Sequence, residues 1–119
     1  MGRTLQVPTA NLQTPNELIP RRGVYVTILS MEGRKYRGVT NIGFRPTVIQ
    51  DETASLSIET HVLDFTQDLY GKEVILQFLV RLRDERRFSG RQVLVEQIQK
   101  DIMNGRRYFH WLERMNRLP

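Results

Sequence analysis

Three groups of residues in this 119-residue chain have the types and spacing that chemistry requires. Thr9 and Asn11 stand two apart in Pro8-Thr9-Ala10-Asn11. The proline stiffens that segment and pushes Val7 toward extended geometry. In an extended backbone the Thr9 hydroxyl and the Asn11 amide oxygen point the same way. Two neutral hard oxygens beside a phosphate suit Mg²⁺, which keeps most of its waters and takes few protein ligands. The ordinary alternative is a turn in which Asn11 bonds its own backbone. Glu59 and His61 are the second group, projecting together from one face of a predicted strand. The third is Arg81, Arg83, Arg86, Arg87 and Arg91, a basic cluster interrupted by Asp84 and Glu85. It reads as an anion-binding loop or as a solvated one.

The elements that must hold these groups follow from hydrophobic periodicity. Residues 23–29 and 35–42 read as a hairpin of β-branched and aromatic strands turning at Glu32-Gly33. Residues 43–47 are expected to break regularity. In residues 56–63, Leu56, Ile58, Thr60 and Val62 share one face, while Ser57, Glu59 and His61 share the other. A solvated outer face is the plain account of that second set. Residues 64–71 read as a compact turn, residues 74–82 as a further strand, and residues 83–88 as a charged loop. Ser89 and Gln92 have capping-box spacing for a helix with a Leu94, Ile98 and Ile102 stripe. Gly105 is expected to end or kink it, with Tyr108, Phe109, Leu112 and Met115 on a second helical piece that also carries His110. Strands followed by a terminal helix point to a small β-barrel with a helix packed on it.

Composition narrows the function. Hydrophobic residues at 39% and charged residues at 26% fit one globular domain over residues 1–119. No run approaches 18 apolar residues, and no signal-peptide pattern opens the chain, so no membrane partner is expected. The absence of cysteine removes disulfides and thiolate metal sites and fits a reducing, cytoplasmic setting. Arginine supplies 15 of the 18 cations behind a net charge of +5, favouring an anionic partner. No P-loop, GxGxxG turn, HExxH motif or G-x-S-x-G elbow is present.

Five motifs carry a resemblance. They are GRT-x₃-PTANL (residues 2–12), P-x-x-GVY (20–25), Y-x-GV-x-NIG-x-RPT (36–47), ETHVLDF-x-x-DLYG (59–71) and LR-x-E-x-x-F (82–88). In order and over nearly the whole chain, they resemble the riboflavin kinase domain, as found in the C-terminal half of bacterial bifunctional FAD synthetases. The resemblance implies a mainly β fold, a six-stranded antiparallel Greek-key barrel with a C-terminal helix. It implies ATP-dependent phosphorylation of the riboflavin 5′-hydroxyl to FMN, with Mg²⁺ and the nucleotide phosphates at Thr9 and Asn11. Glu59 takes the place of the general base. Val62, Asp64 and Tyr70 fall where the family contacts ATP, and Arg83, Arg86 and Phe88 fall in the flavin-contacting loop.

In that family a further strand and a glycine-containing turn precede PTAN, and here the chain opens at Met1-Gly2-Arg3. Gln6 and Val7 also stand where the family prefers an aromatic or aliphatic residue preceded by glycine. The chain is therefore expected to be an excised piece, lacking its first strand and weakly active alone, with an adenylyltransferase domain upstream in the parent protein. Two alternatives remain: a kinase-like domain that binds flavin or nucleotide without turnover, and a basic nucleic-acid-binding barrel. Against the second, the aromatics do not cluster as a stacking platform among the basic residues.

Overall fold

The computed structural model describes residues 5–7, 20–45, 55–65 and 73–119. Five strands, β1 (Leu5–Val7), β2 (Gly23–Met31), β3 (Arg34–Arg45), β4 (Ser55–Val62) and β5 (Ile75–Arg83), precede one helix, α1 (Arg91–Arg114). All pairings are antiparallel, in the order β1-β4-β3-β2-β5. The coarser expectation, a mainly β antiparallel sheet with a C-terminal helix, is what the described residues form. Among them the sheet is not closed, with β1 and β5 at its edges.

Local chemistry accounts for the hairpin. Met31 pairs with Arg34, leaving the two-residue loop Glu32-Gly33 with φ of 50° and 77°. Two positive φ values define a turn whose twist matches the strands it joins, and glycine takes the second without steric cost. Strand β3 continues through Gly43 to Arg45, beyond the break expected at residue 43, because its partner β4 extends alongside to Ser55.

The sheet buries both faces. On one face Leu29, Met31, Val62 and Phe65 form one apolar cluster, and Tyr25, Ile42 and Ile58 form another. A ladder of buried hydroxyls crosses the same face: Thr40 Oγ1 lies 2.8 Å from both Thr27 Oγ1 and Thr60 Oγ1. Removing the central hydroxyl strips a partner from two fully buried groups. Thr40→Val should therefore lower stability by about 1–3 kcal/mol. Changing all three threonines to valine leaves no hydroxyl unmatched and should recover part of that loss. Urea denaturation of the two variants checks this, and a triple variant worse than the single one would refute it.

The opposite face is covered by α1. Ile102, Phe109 and Leu112 pack on Val26, Ile28 and Leu63, with Ile98 and Tyr108 at the margin. The expected stripe is thus buried at Ile102 and half-buried at Ile98, while Leu94 lies at the exposed edge. Two expectations are corrected. Gly105 neither ends nor kinks the helix; a Cβ there would lie 2.7 Å from Val39 Cγ2, so its lack of one lets α1 approach β3. The capping box does not form either. The helix begins after Gly90, which is extended with no side-chain cap, and this leaves Ser89 one residue too early.

Candidate active site

The face of β4 that carries Glu59 and His61 is not solvated. In the antiparallel register Asn41 stands opposite Glu59, and Val39 stands opposite His61. These residues form the floor of a cavity of about 120 Å³ beneath the first half of α1. Leu94, Ile98 and Asp101 close it from the helix, Arg83 from the end of β5, and Arg86 and Phe88 from the segment that follows. Four of the sequence-predicted residues, Glu59, Arg83, Arg86 and Phe88, are thus brought to one site.

Arg83 reaches its position through a two-pronged ion pair. Its Nε donates to Asp101 Oδ1 at 2.8 Å and its Nη2 to Asp101 Oδ2 at 2.7 Å. Nη1 donates to the Asp84 carbonyl at 2.9 Å, and Gln97 Nε2 donates to Asp101 Oδ1 at 3.0 Å. The Asp101 side chain is only 6% exposed and that of Arg83 19%. Three donor nitrogens of Arg83 are thereby committed within the protein, which makes it a wall of the cavity. Phe88 lies beneath both cations, with its ring centroid 5.8 Å from Arg83 Cζ and 5.4 Å from Arg86 Cζ. This arginine–aromatic stack is a surface that a flat ring system can continue.

The other predicted residues lie elsewhere. Val62 is 2% exposed within the Leu29, Met31 and Phe65 cluster, on the opposite face of the sheet. Asp64 is exposed in the turn after β4, where Arg106 donates to both its carboxylate oxygens at 3.0 and 3.1 Å. Those hydrogen bonds hold its carboxyl below the usual range. Thr9, Asn11 and Tyr70 lie outside the described residues.

Asn41 and Asp101 were missed in the sequence reading. Asp101 had a signal, because a charged residue between Ile98 and Ile102 falls inside the apolar stripe of α1. Such a residue usually has a buried partner. Asn41 had its parity with Val39 and its place in the Y-x-GV-x-NIG motif.

Burial pulls the His61 imidazole below its ordinary pKa of 6.5, against the opposing pull of the Glu59 and Asp101 charges. The folded state therefore keeps His61 neutral at a pH where the unfolded chain would bind a proton. The stability due to this group is fully present above pH 6.5 and is lost as pH falls below it. The melting temperature should drop between pH 7.5 and 5.5, less steeply for His61→Asn. Identical slopes for the two proteins would exclude His61 as the cause.

A carboxylate on a half-buried polar floor thus lies beside an arginine–aromatic wall in one cavity. The family model for flavokinase, described as riboflavin kinase, matches residues 1–109, and the chain belongs to the riboflavin kinase family. It is 40% identical over 109 residues to the bifunctional riboflavin kinase/FMN adenylyltransferase of Bacillus subtilis, covering 91% of this chain and 34% of that protein. The protein of the same name from Pseudomonas fluorescens is 40% identical over 106 residues, 89% of this chain and 33% of its own length. The chain thus spans about a third of the length of the curated relatives it matches. A crystal structure titled as a macrolide-efflux protein from Streptococcus pneumoniae matches with a TM-score of 0.66 and 30% identity. That match covers 75% of this chain and 28% of the other.

Proposed function

We infer that this chain transfers the γ-phosphoryl group of ATP to the 5′-hydroxyl of riboflavin, giving FMN and ADP. The observation that carries this reading is the placement of Glu59 on the floor of a cavity walled by Phe88, Arg83 and Arg86. The flavin ring extends the stack at Phe88, and its polyol chain runs inward to the carboxylate. Glu59 accepts the proton of the attacking hydroxyl. Phosphoryl transfer asks little further covalent help, mainly alignment and neutralisation of developing charge.

Thr9 and Asn11 would hold Mg²⁺ with the nucleotide phosphates, and the bound metal would supply that neutralisation. This assignment, and the ATP contacts of Val62, Asp64 and Tyr70, are supported by the family's motif pattern. Closure of the sheet into a six-stranded Greek-key barrel, a cytoplasmic setting and an adjoining adenylyltransferase domain belong to the same reading. Relatives named as bifunctional support the last of these, and no helix among the described residues is long and apolar enough to cross a membrane.

The basic charge favours this reading over nucleic-acid binding. Arg22, Arg37, Arg81, Arg83 and Arg106 are paired with Glu85, Glu113, Asp84, Asp101 and Asp64, and so do not form a bare cationic stripe. Incubation with riboflavin and Mg-ATP, followed by chromatography, should give FMN and ADP in equal amounts. Flavin binding without FMN would instead identify a binding domain without turnover. Salt-sensitive oligonucleotide binding without flavin binding would identify the nucleic-acid alternative.

A further inference from the structure

Two polar atoms on the cavity floor have no hydrogen-bond partner among the described residues, although both are buried: Asn41 Oδ1 and His61 Nδ1. Buried polar groups nearly always find partners, so two orphans flanking one carboxylate call for a physical account. Asn41 is directly opposite Glu59 across the β3–β4 pair, and His61 is two residues further along the same strand face. A matching ligand must therefore offer several hydrogen-bonding groups in a row, one of them at the carboxylate.

Charge and size narrow the ligand. A phosphate on this floor would face the Glu59 carboxylate. The described residues hold no group of three histidine, cysteine or acidic side chains that would suit a metal. Hydroxyls fit, because each can donate to an amide oxygen and can serve an imidazole nitrogen in either tautomer. The cavity, at about 120 Å³, is smaller than the several hundred Å³ usual for a complete ligand site, yet has room for a short chain.

Building on the riboflavin-kinase reading above, we propose that Asn41 and His61 are the residues that recognise the polyol chain. Each pairs with a chain hydroxyl, and together they set the terminal hydroxyl against Glu59. They are positioning and specificity residues for the hydroxyl-bearing chain and contribute nothing to holding the ring.

The test compares riboflavin with lumiflavin, the same ring system with a methyl group in place of the chain, by quenching of flavin fluorescence on titration with the protein. The wild-type chain should bind riboflavin at least tenfold more tightly than lumiflavin. Asn41→Leu and His61→Leu should each weaken riboflavin binding by about tenfold, the usual effect of losing one buried hydrogen bond, and leave lumiflavin binding within twofold. His61→Asn returns a polar atom near the position of Nδ1 and should restore most of the preference. Equal loss for both flavins, or no loss for either, would overturn the proposal while leaving the kinase reading intact. So would equal binding of the two flavins by the wild type, a comparison that needs no variant and survives any misfolding of the leucine proteins. A wild-type chain that binds neither flavin would overturn both readings together.

Discussion

Glu59→Gln is expected to lower kcat for riboflavin phosphorylation by roughly two to four orders of magnitude, the usual loss when a general base is removed. Glutamine keeps the shape and the hydrogen-bonding reach of glutamate but has almost no basicity. The floor geometry with Asn41 and His61 should therefore persist. Riboflavin affinity should change by no more than a few fold, because proton acceptance matters mainly in the transition state. Steady-state kinetics with riboflavin and Mg-ATP varied in turn separates the two effects. Retention of most of kcat would send the proton elsewhere. A large rise in KM with kcat unchanged would make Glu59 a binding residue only.

Much of this arrangement was legible in the order of residue types. Alternation in β4 placed Ile58, Thr60 and Val62 on one face and Glu59 and His61 on the other, because a strand's side chains follow a period of two wherever it pairs. Glu32-Gly33 announced the hairpin through the positive φ values that its turn requires. What periodicity does not carry is which face of a strand is covered, and by what. The face bearing Glu59 read naturally as solvated, and only the packing of α1 across β2 and β3 made it a cavity. Gly105 misled for the same reason. Its cost within a helix is local, while the benefit of close approach to Val39 comes from a residue 66 positions away in the chain. Ser89 and Gln92 had the right spacing and the wrong phase, since the loop from β5 delivers the chain to the helix one residue later than the capping box would need. The partner of Arg83 was not legible either, because an ion pair between a strand end and a helix interior leaves no local pattern.

That ion pair should be the most costly feature of the site to break. Asp101→Ala leaves the Arg83 guanidinium, largely buried, without the carboxylate that binds two of its nitrogens, and leaves Gln97 without an acceptor. Removing one member of a buried pair typically costs about 3 kcal/mol or more, because the remaining charge stays desolvated. For a chain of this size the melting temperature should fall by roughly 10 °C. Because Arg83 also forms a wall of the cavity, KM for riboflavin should rise more than kcat falls. A double variant, Asp101→Leu with Arg83→Met, separates stability from binding. Apolar side chains of similar volume often replace a buried ion pair at no cost, so the double variant should recover most of the melting temperature. The Arg83 half of the stack over Phe88 is still missing, with Arg86 alone remaining, so riboflavin affinity should stay below that of the wild type. Recovery of both properties would mean that Arg83 serves only to fix α1 on the sheet. An unchanged melting temperature in Asp101→Ala would mean that water replaces the carboxylate and that the site is more open than its geometry indicates.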